Sequence, residues 1–195
     1  MTVAVLFARA DSIYKELPGT DVWDAERDAL RWPGGAPVVA HPPCRAWGRL
    51  RKFAKPRPGE RDLALWSVDQ IRTYGGVLEH PAGSLLWVEK PLPEPGQVDA
   101  WGGWTLVISQ WWWGHKADKL TRLYICGAKP EQLPPIPYRM GEATHVIAQS
   151  SRRQKLRLRP EVTKREREAT PPDLAVWLLD VARICGQAMA VKEAA

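Results

Sequence analysis

The chain breaks its apolar residues into short runs and closes nearly every run with a proline, a glycine or a charge. That patterning constrains the fold most, because short runs bounded by turn residues are strands. Residues 3–8, 21–23, 37–40, 77–78, 105–109 and 122–126 read as strands in this way. Helical patterns lie between the first of them. Residues 11–17 are stopped by Pro18-Gly19, and residues 25–31 form a second short helix. Residues 60–74 form a longer one, with Leu63, Trp66, Ile71 and Tyr74 on one face and Gly75-Gly76 as its C-cap. Strands alternating with helices predict an α/β protein with a mostly parallel sheet flanked by helices, in a single compact domain. The last helix opens at Thr170-Pro171-Pro172-Asp173, with Thr170 as N-cap and Pro171 at the first helical position. Leu174, Trp177, Leu178, Val181 and Cys185 make its buried face. The chain thus divides into an α/β core at 1–127, a Pro-rich and basic insertion at 128–169, and a C-terminal helix at 170–195 that packs back on the core.

The third strand runs straight into Pro42-Pro43-Cys44. Proline fixes its own φ and restricts the residue before it, so this turn presents the next side chain at a set place on the sheet rim. Arg45, Arg49, Arg51, Lys52, Lys55 and Arg57 follow with no acid among them. Cationic surroundings lower a thiol pKa, and they attract phosphate. The pattern reads either as a reactive thiol beside a phosphate-binding surface, or as a buried turn cysteine beside a solvated basic loop. The fourth strand delivers Glu79-His80-Pro81 to the same rim. Ligands of open α/β sheets sit at the carboxyl ends of the strands, where Cys44 and Glu79 both fall.

Composition narrows the partners. The 195 residues suffice for one domain, and the net charge of +6 leans toward an anionic partner. The three cysteines, Cys44, Cys126 and Cys185, give no disulfide framework, which fits a reducing cytoplasm. No membrane span and no signal peptide are expected, and the oligomeric state stays open. Eleven tryptophans against two phenylalanines are read mostly as packing, with a minority available to stack on bases. A second basic stretch holds Arg152, Arg153, Lys155 and Arg157. With Arg45, Arg49, Arg51 and Lys52 it makes a candidate nucleic-acid contact. His41-x-x-Cys44 with His80 has some of the residues of a zinc site, but no second cysteine lies near Cys44, and no metal is expected.

A thiolate can add to C6 of a pyrimidine and leave C5 nucleophilic, helped by an acid at N3. In this light the chain resembles the C5-cytosine DNA methyltransferases, with a Rossmann-like core. Pro42-Pro43-Cys44 looks like their nucleophile loop, and Leu78-Glu79-His80-Pro81 like their Glu-Asn-Val segment. Residues 120–127 look like their Gln-x-Arg-x-Arg strand, and the helix opened by Thr170-Pro171-Pro172 like their last helix. The resemblance implies Cys44, Glu79 and Arg122 as catalytic residues, DNA with a flipped or single-stranded cytosine as substrate, and S-adenosylmethionine as methyl donor. It places the donor at the first and second strand ends, on Phe7, Arg9, Asp11, Ser12 and Asp24.

The departures are as specific. The family's Gly-rich loop is replaced by Phe7-Ala8-Arg9-Ala10-Asp11-Ser12, and Asp11 and Ser12 also read as caps of the following helix. Only one arginine of the Gln-x-Arg-x-Arg strand remains, and the target-recognition region is nearly absent. Three functions therefore stand side by side: a compact cytosine-modifying enzyme, an enzyme on free pyrimidine nucleotides that does not use S-adenosylmethionine, and a non-catalytic DNA-binding relative such as an anti-restriction factor. The small size points by analogy to a phage or mobile element.

Overall fold

The computed structural model describes residues 1–49, 51–147 and 159–193. Six strands form one sheet: β1 (Val3–Leu6), β2 (Thr20–Trp23), β3 (Val38–Ala40), β4 (Gly76–Pro81), β5 (Trp104–Ser109) and β6 (Leu120–Cys126), in the order β2-β1-β3-β4-β6-β5. The first four are mutually parallel, whereas β6 runs antiparallel to both β4 and β5. The sheet is therefore mixed. All six expected strands are present, and β4 is longer than expected, so Glu79 lies inside it rather than beyond it.

Period-two alternation divides the sheet residues between two cores. Val3, Val5, Val39, Val77, Leu123 and Ile125 face α4 (Pro172–Glu193), whose Leu174, Leu178, Val181, Ala182 and Cys185 are fully buried. Leu6, Val38, Ala40, Leu78, Tyr124 and Cys126 face α1 (Glu60–Tyr74). On α1 the buried stripe is Glu60, Ala64, Ser67, Val68 and Ile71. Of the expected face only Ile71 is fully buried. Trp66 and Tyr74 flank the stripe and meet Phe7 and Trp32 edge-on. Small residues on the stripe let α1 lie close to the sheet.

Helix ends follow local chemistry. Gly75, at φ 75°, caps α1 as expected, and its N–H donates to the Ile71 carbonyl at 2.9 Å. The next glycine is needed for a second reason. A Cβ on Gly76 would lie 2.0 Å from the Val38 carbonyl oxygen, so only glycine lets β4 pair with β3. The Pro171 carbonyl accepts the first bond of α4, from the Ala175 N–H at 2.9 Å, which makes Pro171 the N-cap and Pro172 the first helical residue, one place later than expected. Residues 11–17 and 25–31 contain only single 3-10 turns, at Ile13–Lys15 and Ala29–Arg31. Two short helices were not foreseen: α2 (Leu86–Glu89) and α3 (Lys164–Glu168), the latter opened by a Thr163–Glu166 capping box.

By length and composition alone the stretch Lys164–Val191, which joins α3 to α4, is apolar enough to cross a membrane. Half of its most apolar window is buried, against the sheet it covers.

Candidate functional site

Strand order reverses between β1 and β3: β1 is followed in sequence by its neighbour on one side, and β3 begins the growth of the sheet on the other. Their carboxyl ends open the crevice where such sheets bind ligands. Because β5 runs parallel to β4, its end reaches this same rim, and so does the start of β6.

The parallel register sets the first contact. Ala40 pairs with Leu78, so the next residue of each strand, His41 and Glu79, come side by side on the α4 face. The Glu79 carboxylate can only accept, so His41 Nδ1 donates to Oε2, at 3.0 Å. His41 Nε2 meets the Tyr14 hydroxyl at 3.0 Å. The other Glu79 oxygen accepts from Gln110 Nε2 at 2.9 Å, and the same amide reaches Thr121 Oγ1 at 3.0 Å. Tyr14, His41, Glu79, Gln110 and Thr121 thus form one largely buried network drawn from five segments of the rim. Sequence reading singled out only Glu79 from it for catalysis. His41 had been considered as a metal ligand, and Gln110, Thr121 and Tyr14 carried no motif. The register of two parallel strands was the signal available for His41.

Protonation follows from these contacts. Burial pushes the Glu79 carboxyl up, but Lys119, His41 and His80 outweigh it and leave its pKa at about 2. Glu79 is therefore a carboxylate at neutral pH, and not the acid that the chemistry at N3 calls for. Burial and the nearby Glu79 charge push the Tyr14 hydroxyl well above its ordinary value. Burial, followed by Glu79, pushes the Cys44 thiol up as well, against a smaller opposing pull from Lys119. The neighbouring cations do not produce the lowered thiol expected: burial and Glu79 outweigh them, and Arg45 is itself engaged by Glu60, donating from Nε at 2.8 Å and meeting it again through Nη2. The Cys44 side chain is nonetheless exposed at the rim, while Cys126 and Cys185 are buried.

Arg122 does not join this group. It pairs with His80 in the register, which puts both on the α1 face, opposite Glu79. Its guanidinium meets Glu94 at 3.1 Å and lies 5.7 Å from the Trp87 ring centroid. His80 is fully buried on that same far face beside Trp87. His41 and His80 therefore do not converge on Cys44 as a metal set would.

The residues assigned to a methyl donor are engaged elsewhere. Arg9 donates to Asp11 at 2.9 Å and to Glu168 at 3.0 Å. Asp11 also meets Arg165 at 3.4 Å. Asp24 does follow β2 directly, but it is buried. It accepts from Lys15 at 2.6 Å and from the N–H groups of Glu26 and Arg27. Ser12 precedes the 3-10 turn without a side-chain cap bond. Phe7 stands at φ 61°, a left-handed conformation, with its ring against Trp66. A cavity of about 440 Å3 borders Asp24 together with Asp21, Glu26 and Arg27, but Phe7, Arg9, Asp11 and Ser12 do not line it. These residues do not form a cradle for S-adenosylmethionine.

Of the candidate nucleic-acid contacts, Arg45 is held by Glu60, Arg49 is exposed and packs over Gly83, and Arg51 and Lys52 line an open cavity. Arg152, Arg153, Lys155 and Arg157 lie outside the described residues. Among the described residues no group of three His, Cys, Asp or Glu side chains is placed to hold a metal ion. No protein-family model, curated protein or solved structure matches the chain.

Proposed function

We propose that the protein modifies cytosine in DNA by covalent addition of Cys44 to C6 of the ring. The observation that carries this reading is the placement of an exposed thiol on the turn just beyond β3 and of Glu79 in the last half of the neighbouring parallel strand β4, both toward the rim of the crevice. A protonated thiol beside an ionised carboxylate holds the one proton that the reaction needs. Glu79 accepts the proton from Cys44 as the S–C6 bond forms, and passes it to N3. The C5=C6 electrons move to C4–C5 and the C4=N3 electrons take the proton at N3, which leaves an enamine of C5, C4 and the nitrogens on C4. Sulfur, proton and charge balance without an external base. His41 and Gln110 position the carboxylate through both of its oxygens. An ionised Glu79 also suits cytosine over thymine or uracil, because it can accept from the exocyclic N4 amine. A base in duplex DNA must leave the stack to reach the rim.

No transfer step through S-adenosylmethionine is derived, since the residues at the ends of β1 and β2 do not fit it. The enamine carbon takes a proton from water when no other electrophile is supplied. The test is donor-free: single-stranded DNA carrying [5-³H]cytosine is incubated with the protein, and 5-fluorocytosine DNA is used to trap the adduct. Tritium release and a covalent adduct, both lost in Cys44→Ser, are the expected results. Salt-sensitive DNA binding with neither would support a non-catalytic DNA-binding relative, the reading favoured by the raised thiol pKa. An adduct with 5-fluoro-dCMP alone would support an enzyme on free nucleotides.

A further inference from the structure

The loop that begins at Cys44 and ends at α1 encloses an open cavity of about 480 Å3. Its wall is cationic. Arg51, Lys52, Arg57 and Arg61 line it against a single carboxylate, Asp62. Its base is anchored to the core through Trp47, which is fully buried. The Trp47 indole N–H donates to the Arg61 carbonyl at 3.1 Å, and the Trp47 carbonyl accepts from the Leu85 N–H at 3.1 Å. The Arg61 guanidinium is fixed 3.9 Å over the Trp47 ring and meets Glu89. Arg51 donates to the Gly48 carbonyl at 3.4 Å. Lys52 and Arg57, by contrast, have no carboxylate partner among the described residues.

The start of α1 is not what makes this place attractive to an anion, because Glu60 already accepts there from the Arg57 N–H at 3.3 Å and from Arg45. The side chains carry the field. With Arg61 paired to Glu89, the three cations Arg51, Lys52 and Arg57 face one acid and repel each other, and an anion with several acceptor oxygens relieves that repulsion while taking charge-assisted hydrogen bonds. The volume is that of a small-ligand pocket, larger than one phosphate needs, and leaves room for the attached sugar.

We propose that this cavity binds the phosphate group of a nucleotide whose base is presented to Cys44, a proposal that rests on the cytosine reading above. The same chemistry serves a backbone phosphodiester or the 5′-phosphate of a free nucleotide. Anisotropy of a fluorescein-labelled, cytosine-containing single-stranded oligonucleotide is measured over a salt series in a Cys44→Ser background, so that no adduct contributes. Adding Lys52→Gln and Arg57→Gln together should weaken binding about tenfold at low salt and make the log–log salt slope shallower by about two, with thermal unfolding unchanged. The same charge change made at Lys129 and Lys164, both outside the cavity, should leave binding as it was. Displacement of the oligonucleotide by dCMP, at concentrations where inorganic phosphate has no effect, assigns the cavity to free nucleotides. Resistance to both assigns it to the DNA backbone. An unchanged slope in the Lys52→Gln/Arg57→Gln protein, or an equal loss in the control, overturns the proposal. If that protein binds normally while wild type still forms the 5-fluorocytosine adduct, the cavity reading falls and the Cys44 reading stands.

Discussion

Acid should destabilise this protein through His80, at a pH well above the range in which its carboxylates titrate. His80 is fully buried on the α1 face of β4, and neither ring nitrogen has a hydrogen-bond partner among the described residues. Burial lowers its pKa from 6.5 to about 4, with Glu79 pulling the other way. Above pH 6.5 the ring is neutral in both the folded and the unfolded chain, and the shift has no effect. Between pH 6.5 and 4 the unfolded chain takes the proton and the folded one does not, so stability falls. Below pH 4 both are protonated and the loss is complete. At 1.36 kcal/mol per tenfold difference in proton affinity, the loss over that window is about 3 kcal/mol. Glu79 does not interfere, since its pKa falls from 4.5 to about 2 and its contribution is lost only below pH 4.5. His115, lowered chiefly by burial, acts in the same direction as His80, so the comparison must isolate the latter. Urea unfolding followed by tryptophan fluorescence, from pH 8 to pH 4.5, is compared for wild type and His80→Leu. The wild-type midpoint should fall by about 1 M more than that of the variant, given slopes of about 1–3 kcal/mol/M. At pH 8 the variant should be no less stable than wild type, because it removes two orphaned polar atoms at the cost of some packing. Parallel pH profiles for the two proteins would refute the reasoning.

Three further outcomes follow from described contacts. Gly76→Ala should cost more than 3 kcal/mol in urea unfolding, because its Cβ would meet the Val38 carbonyl, whereas Gly59→Ala, with open space around it and φ 75°, should cost only about 1–2 kcal/mol. Carbamidomethylation of Cys44 should show a pH midpoint above that of an ordinary thiol, and Glu79→Gln should lower that midpoint by removing a nearby negative charge; the assay is iodoacetamide labelling followed by mass spectrometry. Tyr124→Phe should lose about 1–3 kcal/mol in the same unfolding assay. Its hydroxyl donates to Asp99 at 2.6 Å and accepts from Arg72 at 3.1 Å, so the change leaves two charged groups short of a partner.

The strands were legible because each is a short run closed by a breaker, and the C-cap of α1 because two glycines stand where a helix must stop. The direction of β6 was not legible, since a strand's sequence reads alike whether it pairs parallel or antiparallel. That one ambiguity accounts for the misplaced Arg122: motif order put it after Glu79 in the chain, but pairing with His80 put it on the opposite face. Glu79 and Cys44 were found from their place at strand ends. Their protonation states were not, because these depend on Lys119 and His41, which come close only in the folded sheet. The residues assigned to a cofactor differ in another way. Arg9, Asp11 and Asp24 carry the right chemistry for a polar ligand, but each is satisfied by a partner from elsewhere in the chain: Glu168, Arg165 and Lys15.

Phe7 bears on how this rim can change over evolution. Its backbone at φ 61° follows a path that glycine adopts without strain and that other residues take at a cost of about 1–2 kcal/mol. The chain path at the end of β1 is thus already compatible with glycine, and only the ring against Trp66 would be lost by placing one there. A single substitution could trade an aromatic contact for an unencumbered backbone without moving β1, which makes position 7 an accessible route by which a relative of this chain could gain or lose a ligand at the crevice.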